Sequence, residues 1–356
     1  MKKVLAVPVL IAFCLAASCA TSPASDSVAV ASDAQASPLW VSDRNAAFPD
    51  RLWLCVVENA RDKDTAQASA LNALAQVFKT DVAGVTTAIN EYTNAVASSG
   101  KKKIATFVES KDFAQEVTAS TSVAGLVGVE TDVWTAKDGT VYANARMNRR
   151  ECAARYSAMI RENEGIIRRL KEDAAQNNGT FDAFESLKFA ATVAEVSDHF
   201  QSLLEVLDLS AIDRRPDYGN ANAVKALAQN AARSIVITVR VTGDSGDRIT
   251  KAFTAFLEGK GFRTSAAGAN AYQLSTAVEL ENVVLANQAN KFVRYVLTTS
   301  IVYKDGTEVF SWSGNGREGH ATEPEARQRA LRAAEAAVGT GAFAKDFNEY
   351  LDSLLK

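Results

Sequence analysis

From Leu52 to Val57 the chain is continuously apolar (Leu52-Trp53-Leu54-Cys55-Val56-Val57). From residue 66 the apolar positions recur every three or four residues instead, at Ala66, Ala70, Leu71, Leu74, Ala75, Val77 and Phe78. The first pattern predicts a buried strand. The second predicts a helix with a narrow apolar face, whose alanines let it lie close on a sheet. After a break near Gly84 and a turn at Ser98-Ser99-Gly100-Lys101, segments near Ala105 to Ser120, Ser122 to Trp134 and Val141 to Met147 read as strands. The last two are joined by Lys137-Asp138-Gly139-Thr140, which carries the Asp-Gly of a tight hairpin.

From about Arg149 to Ala232 the spacing is helical. Arg150, Arg155, Arg161, Arg168 and Arg169 alternate with acids across Tyr156, Met159, Ile160, Ile167 and Leu170, a solvated face on an apolar one. Asn177-Asn178-Gly179 ends this helix. Thr180 then caps a second, with apolar positions from Phe181 to Leu207, so that the two form a helical hairpin. Beyond Ser234 the β-branched run Ile235 to Val241 predicts a strand. Asp247 opens a helix that is closed by Gly259-Lys260-Gly261. Paired strands are expected near Tyr272 to Leu285 and Phe292 to Tyr303, and Lys304-Asp305-Gly306-Thr307 turns into a further one, Val309 to Trp312. A long last helix, from Thr322 to about Leu355, is introduced by the capping box Thr322-Glu323-Pro324-Glu325.

Both halves therefore follow one order: strand, helix, antiparallel strands with an Asp-Gly-Thr hairpin, long helix. An internal duplication and the convergence of two similar units account for it equally. The fold class is α+β, two open sandwiches of the strand-helix-meander-helix type separated by a helical hairpin. The roughly 320 residues beyond the first forty exceed what one hydrophobic core usually organises, so two domains are expected. Their boundaries fall at residues 38–150 and 233–356, with a helical spacer at 151–232.

The first forty residues set the compartment. Lys2 and Lys3 precede an apolar run from Val4 to about Leu15. That run is shorter than the roughly 20 residues a bilayer-spanning helix needs. Ala16-Ala17-Ser18-Cys19 then supplies a lipobox. The expectation is cleavage after Ser18, with residues 1–18 as signal peptide, and acylation of Cys19, for example with palmitate. An ordinary cleaved signal peptide is the alternative. The position three before the cysteine is Ala16 where leucine is usual, with Leu15 one place further back. Residues 19–37 are small and polar and read as a flexible tether.

Formal charge is −3 for the whole chain, and losing Lys2 and Lys3 leaves 37 basic against 42 acidic residues. A mildly acidic surface argues against nucleic acid as the partner, because phosphate binding needs clustered cations. With Cys14 in the signal and Cys19 acylated, only Cys55 and Cys152 can pair, a bond permitted outside the cytoplasm. Two separate buried thiols are the alternative. His199 and His320 are the only histidines. Far apart and without neighbouring cysteine pairs, they give no metal site, and no cofactor is expected.

The segments Pro38-Leu39-Trp40-Val41 and Phe48-Pro49-Asp50, the alanine-rich helix from Ala66 to Phe78, and Asp138 to Ala143 leading to Met147-Asn148-Arg149 and Tyr156 are similar to the twenty-kilodalton lipoprotein (Lpp-twenty) family. This resemblance covers about residues 38–160. It departs at Trp53 to Glu58, where a small residue would be expected nearer Glu58. It implies a surface or outer-membrane lipoprotein, in some members antigenic or linked to flagella or envelope assembly, and its motifs are structural rather than catalytic. The last domain is similar in order to periplasmic modules of envelope assembly lipoproteins, without a motif that matches residue by residue.

For chemistry the most suggestive segment is Ser313 to His320, a glycine-rich loop between a strand and a helix. In it Gly314, Gly316, Arg317 and His320 are the candidate ligand-binding residues. It lacks the Lys-Ser/Thr ending and the parallel setting of a nucleotide loop, so a strand exit with glycines at positive φ is the simpler reading. No serine or cysteine nucleophile sits in a motif with a histidine, and no carboxylate pair can be singled out among 42 acids. Trp40, Trp53, Trp134 and Trp312 suit core packing better than a glycan surface. The expected function is therefore that of a noncatalytic membrane-anchored lipoprotein, an envelope assembly or docking factor. Its partners would be the membrane, through the N-terminal lipid, and another envelope protein or peptidoglycan. A periplasmic glycan or small-molecule binder is the alternative, and a hydrolase the third choice. Ala20 lacks the aspartate that retains enteric lipoproteins at the inner membrane, which favours the outer membrane.

Overall fold

The computed structural model describes residues 36–78, 87–94, 126–268, 271–284 and 290–355. The expected leader, the tether up to residue 35, Cys19, the turn at 98–101 and the strand near 105–120 lie outside them. Two single helical turns, Leu39–Ser42 and Arg44–Ala47, precede β1 (Trp53–Ala60) and α1 (Lys63–Val77). A short helix over residues 87–94, α2, was not foreseen. β2 (Glu130–Thr135) and β3 (Val141–Asn148) complete an antiparallel sheet of order β1-β3-β2. Alternation places Val141, Ala143, Ala145 and Met147 on one face of the central strand, where the buried Ala66, Ala70 and Leu74 of α1 join them. Small side chains on both partners let helix and sheet approach closely, as the alanine spacing predicted.

The hairpin α3 (Arg149–Gln176) and α4 (Phe181–Leu207) turns through Asn177 to Gly179, and Thr180 Oγ1 accepts from the Ala183 N–H at 3.2 Å. Ser186 Oγ donates to Asp173 Oδ2 at 2.8 Å across the turn. α3 buries Cys152, Tyr156, Met159, Ile160, Ile166 and Ile167 at helical spacing, and the Tyr156 hydroxyl accepts from the Val127 N–H at 2.9 Å. α4 is buried almost all round. Its length from Phe189 to Leu207 belongs to the first hydrophobic cluster, whereas Phe181 belongs to the second. A 3-10 turn (Leu209–Asp213) and α5 (Ala221–Ser234) follow.

The second sheet has the order β5-β4-β6-β7-β8. β4 (Val236–Thr242) is parallel to both neighbours, β5 (Arg263–Ser265) and β6 (Tyr272–Val283); β7 (Lys291–Tyr303) and β8 (Glu308–His320) continue it antiparallel. α6 (Arg248–Gly259) links β4 to β5. Asp247 stands at its N-cap in the left-handed region, φ 57°, but the cap bonds come from Asp244, whose Oδ2 accepts the Thr250 N–H at 2.8 Å. α7 (Glu323–Gly339) and α8 (Ala342–Ser353) complete the chain. Ile237, Val239, Leu274, Leu297 and Ile301 face the second cluster with Phe253 and Phe343.

Both expected hairpins form, and in the same way. Gly139 and Gly306 take φ of 86° and 90°, conformations that glycine reaches without Cβ strain. Asp138 and Asp305 each accept the backbone N–H two residues on, Thr140 and Thr307, at 2.9 Å. Those bonds hold both carboxyls below the ordinary aspartate range.

Three expectations are corrected. The last helix is two, broken at Thr340 and Gly341, where the chain passes so close to α7 that a Cβ at position 341 would meet the Ala337 Cα at 2.8 Å. The break turns the buried Phe343, Phe347 and Leu351 onto the sheet. The capping box is not made: Thr322 gives no cap hydrogen bond and Glu325 is taken by Arg332 at 2.8 Å. The glycine-rich segment 313–320 is not a loop but the second half of β8, paired with β7 from Thr298 to Lys291.

Candidate functional site

That strand disperses the residues singled out as a ligand loop. Gly314 and Gly316 lie on the core-facing side of β8, opposite Leu297 and Tyr295. A Cβ on Gly314 would lie 2.2 Å from Trp312 Cη2, and one on Gly316 would lie 2.5 Å from Tyr295 Cε1. The glycines are there to make room for rings, not to supply positive φ. Arg317 points to the other face and stacks over the Phe292 ring at 5.3 Å. His320 ends the strand, where its Nδ1 accepts the Thr322 N–H at 3.3 Å. These four residues do not converge on one point.

Cys55 and Cys152 are free, buried thiols. Of the two readings of the pair, the disulfide is not formed and the thiols are separate, which strand alternation explains. Cys55 pairs with Arg146 across β1 and β3, on the face that also carries Trp53. Cys152 belongs to the cluster on the opposite face, with Sγ 3.7 Å from the Gly128 carbonyl oxygen. Burial pushes both thiols up to about 11. Around Cys55, Arg146 donates to Glu130 at 2.8 Å and to Asp132, and its guanidinium lies 4.7 Å from the Phe48 ring centre. Trp40 and Trp312 are buried, the latter donating to Asp346 Oδ2 at 3.1 Å; Trp53 and Trp134 are half-buried. His199 is buried on α4 beside Phe200.

Two surface features remain. One is an apolar tip at the C-terminal end of α4. On the 3-10 turn Leu209 and Ile212 stand three residues apart, which stacks them on one side, and they are 75% and 48% exposed. Ser210 N–H and Oγ both donate to Asp208 Oδ1, at 3.0 and 2.7 Å, and stiffen the turn. Arg149 clamps this end: its Nη1 donates to the Val206 carbonyl at 2.8 Å and its Nε to the Asp50 carbonyl at 2.9 Å. Leu52, half exposed, accepts the Arg149 N–H at 2.9 Å and so is held to the same end.

The other is a groove of about 370 Å³ between α4 and α5, closed by the turn that follows α6. Phe184, Ala191, Ala228 and Ala232 form its floor; Lys188, Lys225, Arg233 and Lys260 rim it, with Glu195 as the acid among its lining residues. Lys188 reaches Glu185 at 3.1 Å and Asp352 at 3.6 Å. Burial works against its charge, but those carboxylates outweigh it and hold the ammonium above its ordinary value. Lys225 pairs with Glu195. A second groove of about 380 Å³ along α3 is lined by charges of both signs, among them Glu164, Arg168, Lys171 and Asp217. The N-terminus of α6 is not an anion site, because the Asp244 carboxylate already occupies it. Among the described residues no cluster of three His, Cys, Asp or Glu is placed to hold a metal ion, and no helix is long and apolar enough to cross a membrane.

No protein-family model matches the chain, and no curated protein matches it. Among solved structures it is similar to a secreted protein of Helicobacter pylori, at 15% identity over 85% of this chain and 98% of that one, TM-score 0.39. It is also similar to a minor lipoprotein of Acinetobacter baumannii, at 13% identity over 33% of this chain and 90% of that one, TM-score 0.25. A lipoprotein of Neisseria meningitidis matches at 13% identity over 30% and 97%, TM-score 0.20. Scores at this level leave the chain's role to its own residues.

Sequence reasoning missed both surface features. Asp208-Leu209-Ser210 carries the side-chain oxygen that favours such a turn, so the tip had a local signal. The groove had none, since its cations come from α4, α5 and the turn after α6.

Proposed function

We propose that this chain is a noncatalytic lipoprotein of the bacterial envelope, held to a membrane by acylated Cys19 and serving as an assembly or docking factor for another envelope protein or for peptidoglycan. The observation that carries the docking role is the apolar tip. Leu209 and Ile212 stand out from a turn stiffened by Asp208 and clamped through Arg149, so an apolar contact there costs little ordering entropy. The noncatalytic part is supported by the state of the candidate nucleophiles and bases: both thiols are pushed up to about 11, His199 is buried beside Phe200, and His320 bonds to Thr322. The extracytoplasmic, outer-membrane placement rests on the lipobox and on Ala20 after it.

The test is photocrosslinking in intact cells of the native host, with the photoreactive residue at position 209 or, as control, at exposed Lys137 on the first hairpin. A discrete adduct from position 209 alone, abolished by Ile212→Asp, is expected. Equal adducts from both positions, or none, would overturn the docking role. Mass spectrometry of the N-terminal peptide tests the anchor separately, with diacylated or triacylated Cys19 as the expected species.

A further inference from the structure

We propose that the groove between α4 and α5 binds a small, water-soluble amphiphilic anion, a phosphate or carboxylate carried on a short apolar body. This site is separate from the apolar tip and does not depend on the docking reading.

The charge balance of the groove runs against that of the chain. Overall the chain carries a formal −3, yet four cations and one carboxylate line this single concavity. Two of the cations are already committed, Lys188 to Glu185 and Asp352, and Lys225 to Glu195. Arg233 and Lys260 form no ion pair among the described residues; Lys260 lies 5.9 Å from the Phe256 ring centre and acts on Glu185 only at longer range. Both line the groove, and each is the sequence neighbour of one of the two residues, Ala232 and Gly261, that approach one another there.

Gly261 lets the turn after α6 approach α5 at the groove. It takes φ 89°, and a Cβ there would come within 3.3 Å of the Ala232 Cβ. An anion held by Arg233 and Lys260 would leave its attached group the apolar lining, Ala228, Ala232 and Phe184, whose neighbouring cations Lys188 and Lys225 are already paired. The volume of about 370 Å³ falls at the small end of the roughly 300–1,000 Å³ range of ligand pockets, which selects a compact molecule over a two-chain lipid. Arg233 also lies in the last turn of α5, where a cation favours the helix dipole. If Arg233 were purely structural, its replacement would therefore lower stability and leave binding untouched.

Calorimetric titration of the full acylated protein in a nonionic detergent, with phenyl phosphate as probe, separates the readings. Saturable binding is expected, at least tenfold tighter than for inorganic phosphate or phenol alone. Arg233→Gln and Lys260→Gln should each weaken it at least fivefold, Lys260→Arg should retain it, and Arg168→Gln in the neighbouring groove should change nothing. Far-ultraviolet circular dichroism checks that each variant is folded. Absence of saturable heat, or unchanged affinity in the folded Arg233→Gln and Lys260→Gln variants, would overturn the proposal, as would displacement of the probe by phosphatidylglycerol doped into the micelle.

Discussion

The cluster around the three-stranded sheet and the cluster around the five-stranded sheet close the same kind of layer with different materials. In the first, Ala66, Ala70, Ala143 and Ala145 are fully buried, and the gap between helix and strand is narrow because the side chains in it are small. In the second, rings fill the gap. Phe343 lies 4.9 Å from Phe253, 5.4 Å from Trp312 and 5.8 Å from Phe347, centre to centre, and Phe181 stacks on Tyr272 at 4.0 Å. Large rings near a sheet need space beside them, and β8 provides it with glycine at positions 314 and 316. An alanine-built layer has no such requirement, and β3 carries no glycine at all. Two layers that share a hairpin turn thus place opposite demands on their strands.

The largest effect should come from removing a ring. Phe343→Ala is expected to cost about 3–5 kcal/mol in urea unfolding, since the cavity borders several rings that cannot all collapse into it. The mirror experiment, Ala70→Leu, should cost about 1–3 kcal/mol through overpacking. If Ala70→Leu were harmless, the narrow gap would not be a constraint and the contrast would dissolve. Next in size is Gly314→Ala, expected to cost about 1–3 kcal/mol because the Trp312 ring is pinned by Asp346 and cannot swing aside. Combined with Trp312→Leu, much of that penalty should vanish; additive losses would show that the glycine serves some other end.

The smallest effect is chemical and compares the two faces of the first sheet. Burial raises both thiols to about 11, which favours the neutral form through the ordinary range. Iodoacetamide at pH 8 should label neither Cys55 nor Cys152 in the folded protein, labelling should rise only as pH nears 11, and both should react promptly in denaturant. Read by mass spectrometry, rapid labelling of native Cys55 at pH 8 would contradict the burial of that face.

Much of this architecture was legible because its signals are local. Asp138-Gly139-Thr140 and Asp305-Gly306-Thr307 each code their own turn, Thr180 caps the helix that begins at the next residue, and Ile235 to Val241 declares a strand by its branching. The misreadings share a different cause. Ser313 to His320 has the composition of a loop, and the reason for its glycines lies partly in Tyr295, some twenty residues earlier and one strand over. Cys55 and Cys152 are both buried, as expected, yet which face each occupies depends on the register of β1 against β3. The break at Gly341 answers to Phe343 and Phe347 finding their places among rings of α6 and β8. The surface sites were the least legible, for a groove exists only after α4, α5 and the turn beyond α6 have met.

α4 works as a common beam. Its first residue is locked into one core by the Tyr272 hydroxyl, which accepts the Phe181 N–H at 3.0 Å, while the rest of its length fills the other. Cutting the chain near residue 233 would strip Phe181 of its neighbours and take from the remaining half the ring that Tyr272 stacks on. Melting should accordingly be a single event felt everywhere at once, and a load applied at either sheet would be borne by the same rod.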